Sequence, residues 1–117
     1  MNDTRLYHNP RCSKSRSALE LLRGRGVEPV VIDYLETPPS VTELRALLDM
    51  LALPARALLR TGEDEYSALG LDDESLPEST LLEAMNAHPR LIERPIFVHA
   101  GRAVIGRPPE RVLDLLG

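Results

Sequence analysis

Arg5-Leu-Tyr-His-Asn-Pro-Arg-Cys-Ser-Lys-Ser-Arg-Ser-Ala-Leu-Glu-Leu-Leu-Arg-Gly24 carries a change of hydrophobic period from strand to helix. Its first four residues suit a short strand over residues 5–8, and Pro10, which lacks an N–H to donate, breaks it. The period then changes: Ser15, Ala18, Leu19 and Leu22 fall at i, i+3, i+4 and i+7, one face of a helix. Gly24 and Gly26 follow where a helix end turns left-handed. Residues 30–34 are a β-branched run suited to a buried parallel strand. A strand–helix–strand unit of this length crosses over right-handed almost without exception.

Further along the chain, Ser40-Val-Thr-Glu43 has the pattern of a capping box, followed by Leu44, Leu47, Leu48 and Leu51 on one helical face. Pro54 is expected to end that helix, residues 55–60 to form one or two helical turns, and residues 61–65 to be a polar loop. Pro77-Glu78 opens a further helix carrying Leu81, Leu82 and Met85, stopped by Pro89, so residues 40–89 read as a helical block. Residues 96–99 and 103–105, separated by Ala100-Gly-Arg102, read as a β-hairpin with a glycine at the turn. Pro108 and Pro109 then start a short helix with Val112, Leu113 and Leu116 on its inner side. The order β-α-β, helices, β-β-α predicts one α/β domain over residues 1–117 with a mixed sheet of four strands.

Composition narrows the function. An apolar share of 43% over 117 residues is that of an ordinary globular domain. With Phe97 the sole phenylalanine and no tryptophan, the core must come from Leu, Val, Ile and Ala. A net charge of −4 argues against a nucleic-acid binder, which needs a basic surplus to neutralise phosphates. Thirteen of the fourteen cationic residues are nonetheless Arg, the better residue for forked contacts to oxyanions, although GC-rich codon usage produces the same excess. No apolar run approaches the roughly 20 residues of a membrane span, and the polar first five residues do not resemble a signal peptide, so a cytoplasmic location is expected. His88 and His99 together with Cys12 offer no metal-ligand spacing, and no metal is expected.

Cys12 is the single cysteine, so any redox chemistry it performs must use a resolving thiol from another molecule. Its place between strand end and helix start, with Arg11, Lys14 and Arg16 nearby, should lower its pKa from an ordinary value of roughly 8.5. A lone cysteine of unknown context is more often a buried inert thiol, and it is the strand-loop-helix setting that favours a reactive one. Cys12-Ser-Lys-Ser15 has the spacing of a Cys-x-x-Cys motif with serine in the resolving place. Ser15 can donate a hydrogen bond to the sulfur but cannot form a disulfide; read alone, it is an ordinary helix-start serine. His8, at the strand end, either tunes the protonation of Cys12 or makes a satisfied polar contact. A Cys-x5-Arg phosphatase loop is ruled out because the residue six after Cys12 is Ala18.

Five segments in one order, His8-Asn-Pro-Arg-Cys-Ser-Lys-Ser-Arg16, Tyr34-Leu-Glu-Thr-Pro-Pro39, Arg56-Ala-Leu-Leu-Arg60, Glu93-Arg-Pro-Ile96 and Gly106-Arg-Pro-Pro109, together resemble the glutaredoxin-coupled arsenate reductase family, most of all its short branch. The resemblance implies a thioredoxin-like fold with a helical insertion, a cis bond at Arg94–Pro95, Cys12 as the catalytic nucleophile and an arginine triad of Arg60, Arg94 and Arg107 for the substrate. It implies reduction of arsenate to arsenite through a covalent Cys12 adduct, with no bound cofactor, glutathione as co-substrate and glutaredoxin as partner. Three guanidinium groups suit a tetrahedral oxyanion and would also hold a thiolate. Two other functions stay open at this level. One is a general glutathione-dependent thiol oxidoreductase, favoured by the added charge of Arg11 and Lys14. The other is a redox adaptor on RNA polymerase, against which Ser15 in the second motif position counts.

Overall fold

Leu6 and Tyr7, both buried, belong to β1 (Thr4–His8), an inner strand in the computed structural model, which describes residues 3–116. After β1 come α1 (Ser13–Gly24), β2 (Val30–Asp33), α2 (Val41–Leu51), α3 (Ala55–Leu58), α4 (Asp64–Ala68) and α5 (Glu78–Ala87). A 3₁₀ turn (Pro89–Leu91), β3 (Ile96–His99), β4 (Arg102–Ile105) and a 3₁₀ helix (Pro109–Leu115) complete the order. The chain forms two compact units, one of residues 3–37 with 94–116 and the other Pro38–Glu93.

In the first unit the sheet order is β2-β1-β3-β4. β1 runs parallel to β2, with Leu6 opposite Val31, and antiparallel to β3, with Leu6 opposite Phe97; β3 and β4 form the hairpin, with Phe97 opposite Val104. This is the mixed four-stranded sheet of a thioredoxin-like α/β fold. Leu6, Phe97 and Val104 thus share one face, which packs against Ala18 and Leu22 of α1 and Val112 of the last 3₁₀ helix. Each large side chain fully buried there contributes about 1.5–3 kcal/mol. α1 closes with a paired motif at its C-terminus: Gly26 N–H donates to Arg23 O at 3.0 Å and Val27 N–H to Leu22 O at 2.9 Å, while Gly26 takes a φ of +76°. The hairpin turn uses two residues, Ala100 and Gly101, both at positive φ, rather than the three expected.

One expectation about β2 fails. It is parallel as expected, but it is an edge strand, and Val30 and Val31 are 64% and 40% exposed instead of buried. A β-branched run specifies a strand; what covers the strand is decided by its neighbours.

In the second unit, the Ser40 hydroxyl accepts from Glu43 N–H at 3.1 Å and starts α2, whose Leu44, Leu47 and Leu48 are buried. α2 ends at Leu51 with Ala52 left-handed at φ 57°; Pro54, expected to stop it, instead caps the start of α3. Only Ala55–Leu58 of residues 55–60 is helical, because Leu59 pairs with Ile92 in an antiparallel bridge. Arg60 N–H donates to Leu91 O at 2.7 Å and Glu93 N–H to Leu58 O at 2.8 Å. The expected loop at residues 61–65 is shortened by α4, which begins at Asp64. α5 buries Leu81, Leu82 and Met85 as expected, and Pro89 opens the following 3₁₀ turn. Among the described residues no helix is long and apolar enough to cross a membrane.

Candidate active site

β1 hands the chain to α1 through Asn9-Pro-Arg11, and Cys12 becomes the N-cap of the helix with extended φ and ψ of −94° and 121°. Cys12 N–H donates to Asn9 O at 3.0 Å and Cys12 O accepts from Arg16 N–H at 3.0 Å, so both backbone groups are fixed. The side chain is left partly exposed, and its thiol is free of any disulfide. Helix starts carry unpaired N–H groups, which favour a negative charge in this place.

Burial pushes the Cys12 thiol up, yet the Ser15 N–H, the Arg94 guanidinium as charge and as donor, and the Lys14 N–H together outweigh it. The thiol therefore lies below its ordinary value. Arg94 comes from the segment just before β3, far from Cys12 in sequence. The antiparallel pairing of β1 with β3 brings the two to the same end of the sheet.

The Ser15 hydroxyl does not act as expected. It is fully buried, accepts from Asn9 N–H at 3.0 Å and lies 2.6 Å from His8 Nδ1, while the backbone amide of the same residue faces the sulfur. His8 is thus in the satisfied polar contact, bound to Ser15, and it braces the loop that carries Cys12. Burial is the main cause that lowers the His8 pKa, Asp33 opposes it, and Arg23 and Arg16 add to it.

Arg94–Pro95 is cis, and so is Arg107–Pro108, which the sequence did not suggest. Gly106 N–H donates to Pro95 O at 2.8 Å, tying the Arg107 segment beside Arg94–Pro95. Only glycine fits there, because an added Cβ would lie 2.9 Å from Pro95 Cγ and 3.0 Å from Val112 Cγ1. Gly106 is a positioning residue that sequence reading passed over, although it opens the Gly106-Arg-Pro-Pro109 segment. The first unit therefore gathers Cys12, Arg94, Ser15 and His8 around one loop, with Pro95 and Arg107 joined through Gly106. Arg60 belongs to the second unit, where its Nη1 donates to Glu93 Oε1 at 2.9 Å.

Among the described residues no group of three or more His, Cys, Asp or Glu is placed to hold a metal ion. His99 instead stacks on Phe97 with ring centroids 5.8 Å apart and lies 2.9 Å from Thr4 Oγ1 through Nδ1.

Comparison with known proteins gives this geometry a family. An uncharacterized protein of Escherichia coli strain K12, YfgD, is 54% identical over 114 residues, covering 97% of this chain and 96% of that one. An arsenate reductase of Neisseria meningitidis is 46% identical over 117 residues, covering 99% of this chain and 100% of that one. The solved structure of an arsenate reductase from Vibrio cholerae superposes with a TM-score of 0.93 at 52% identity, over 95% of each chain. The model of the ArsC family matches residues 7–115, which run from the end of β1 through the Cys12 loop and both arginine–proline segments to the last helix. A match of that extent, on a sheet and loop built as described, makes this chain a member of the ArsC family.

Proposed function

We propose that the chain reduces arsenate to arsenite through Cys12, with glutathione as co-substrate and glutaredoxin as partner. The observation that carries the reading is the convergence of two helix-start amides and the Arg94 guanidinium on one accessible sulfur. Relatives bearing the name arsenate reductase at 46% identity support the choice of substrate.

In this mechanism the oxyanion docks against Arg60, Arg94 and Arg107, whose forked donors suit its oxygens. The Cys12 thiolate attacks arsenic of the monoanion; an As–S bond forms and one oxygen leaves as water with the two protons the anion carried. Glutathione thiolate then attacks the Cys12 sulfur, an S–S bond forms as the As–S bond breaks, and that electron pair stays with arsenic, which departs as arsenite. The two electrons come from the Cys12 and glutathione sulfurs, and a glutaredoxin thiolate takes the glutathionyl sulfur, returning Cys12 as thiolate. With one cysteine in the chain, that resolving step has to come from outside.

The test is arsenate-dependent NADPH oxidation with glutathione, glutaredoxin and glutathione reductase. The expected result is turnover that Cys12→Ser abolishes. No turnover, where an established reductase of the family works in the same mixture, overturns the proposal.

A further inference from the structure

The first unit holds a groove of about 730 Å³ that runs along α1 toward the last 3₁₀ helix and begins at Ser13, the residue after Cys12. That volume lies in the range of small-molecule sites, roughly 300–1,000 Å³. We propose that this groove holds the glutathione co-substrate, an inference that rests on the reductase reading and names the residues that would recognise its second substrate.

Charge complementarity argues for this occupant. Glutathione carries two carboxylates and one ammonium, and the groove offers two cations, Lys14 and Arg25, with two carboxylates, Glu20 and Glu110. Between them, Leu21 and Pro109 supply apolar floor. Lys14 and Arg25 lie eleven residues apart, about 16 Å along the helix axis, enough for an extended tripeptide of roughly 10–11 Å. A bare tetrahedral oxyanion would use neither the length nor the carboxylates.

Gly24 is the second argument. It stands in the last turn of α1 with no positive φ, and a Cβ added there would meet nothing within 4 Å, so neither backbone nor packing accounts for a residue that weakens a helix. It lines the groove, where a missing side chain leaves room for a ligand. Because the Lys14 amide already faces the Cys12 sulfur, a thiol peptide lying here has its reactive end near the atom it must reach.

S-methylglutathione, which cannot react, is the probe, titrated into the whole ¹⁵N-labelled protein. Amide shifts should concentrate at Ser13, Ser17, Leu21, Gly24, Arg25 and Glu110. Gly24→Leu and Arg25→Glu should each weaken binding about tenfold and raise KM for glutathione while leaving KM for arsenate unchanged. Shifts confined to other surfaces, no saturable binding, or equal affinity in wild type and the well-folded Arg25→Glu overturns the inference. If the probe binds in the groove of a protein that fails to reduce arsenate, the reductase reading alone falls. If arsenate is reduced and the groove stays empty, this inference alone falls.

Discussion

Ser15 Oγ lies 2.6 Å from His8 Nδ1, with both side chains buried beneath the loop that presents Cys12. The same hydroxyl accepts from Asn9 N–H, so one buried oxygen joins the end of β1, the loop and the first turn of α1. Ser15→Ala would leave the Asn9 N–H and the imidazole without that partner, costing about 1–3 kcal/mol. Urea unfolding of Ser15→Ala, His8→Ala and the double variant should show a coupling of at least about 0.5 kcal/mol. Strict additivity would show that the contact is not an energetic unit.

Burial lowers the pKa of His8 in the folded protein beneath its ordinary 6.5. The unfolded chain then binds more protons than the folded one between the two values, so stability rises with pH through that window. The His8 contribution is complete above 6.5 and is lost as pH falls through the folded value. Melting curves from about pH 8 to pH 5 should therefore fall more steeply for wild type than for His8→Gln, which cannot titrate. Parallel slopes would contradict the assignment.

Gly106→Ala should destabilise the first unit by about 1–3 kcal/mol, because its Cβ meets the rigid Pro95 ring and the buried Val112. Gly62→Ala, whose Cβ meets nothing within 4 Å, is the control and should fall within about 0.5 kcal/mol of wild type. Equal stability of the two variants would mean that Pro95 yields freely.

Arg60→Ala, Arg94→Ala and Arg107→Ala should each raise the barrier to arsenate reduction by about 2.7–4 kcal/mol, the usual cost of deleting one oxyanion donor. Arg60 has a structural partner in Glu93, and an ion pair of this kind contributes no more than about 1 kcal/mol. Arg60→Ala should thus lose rate far out of proportion to stability in a coupled assay run beside a urea titration. Wild-type rates in all three variants would remove the triad from the mechanism.

The β1–α1–β2 unit was legible because the change of period from strand to helix is written in Leu6, Ser15, Ala18 and Leu22, all of which are buried. The hairpin was legible from two β-rich runs around Gly101. The exposure of Val30 was not, since no residue of β2 records which strand lies beyond it. α4 left no hydrophobic period to read, for it buries no residue at all. In the site, the reactive setting of Cys12 followed from its own flanks, whereas Arg94 came only with the family resemblance, because strand pairing joins it to a loop far away in sequence. Ser15 was read as a donor to sulfur; a helix start places its amide there and turns the hydroxyl inward.

Against the cost of burial, the Ser15 amide, the Arg94 guanidinium and the Lys14 amide lower the pKa of the Cys12 thiol, and the pH dependence of its alkylation by iodoacetamide reads that lowering. Wild type should titrate below an ordinary thiol, and Arg94→Ala should move back toward one. A wild-type midpoint at or above the ordinary value, or one that Arg94→Ala leaves in place, would contradict the account.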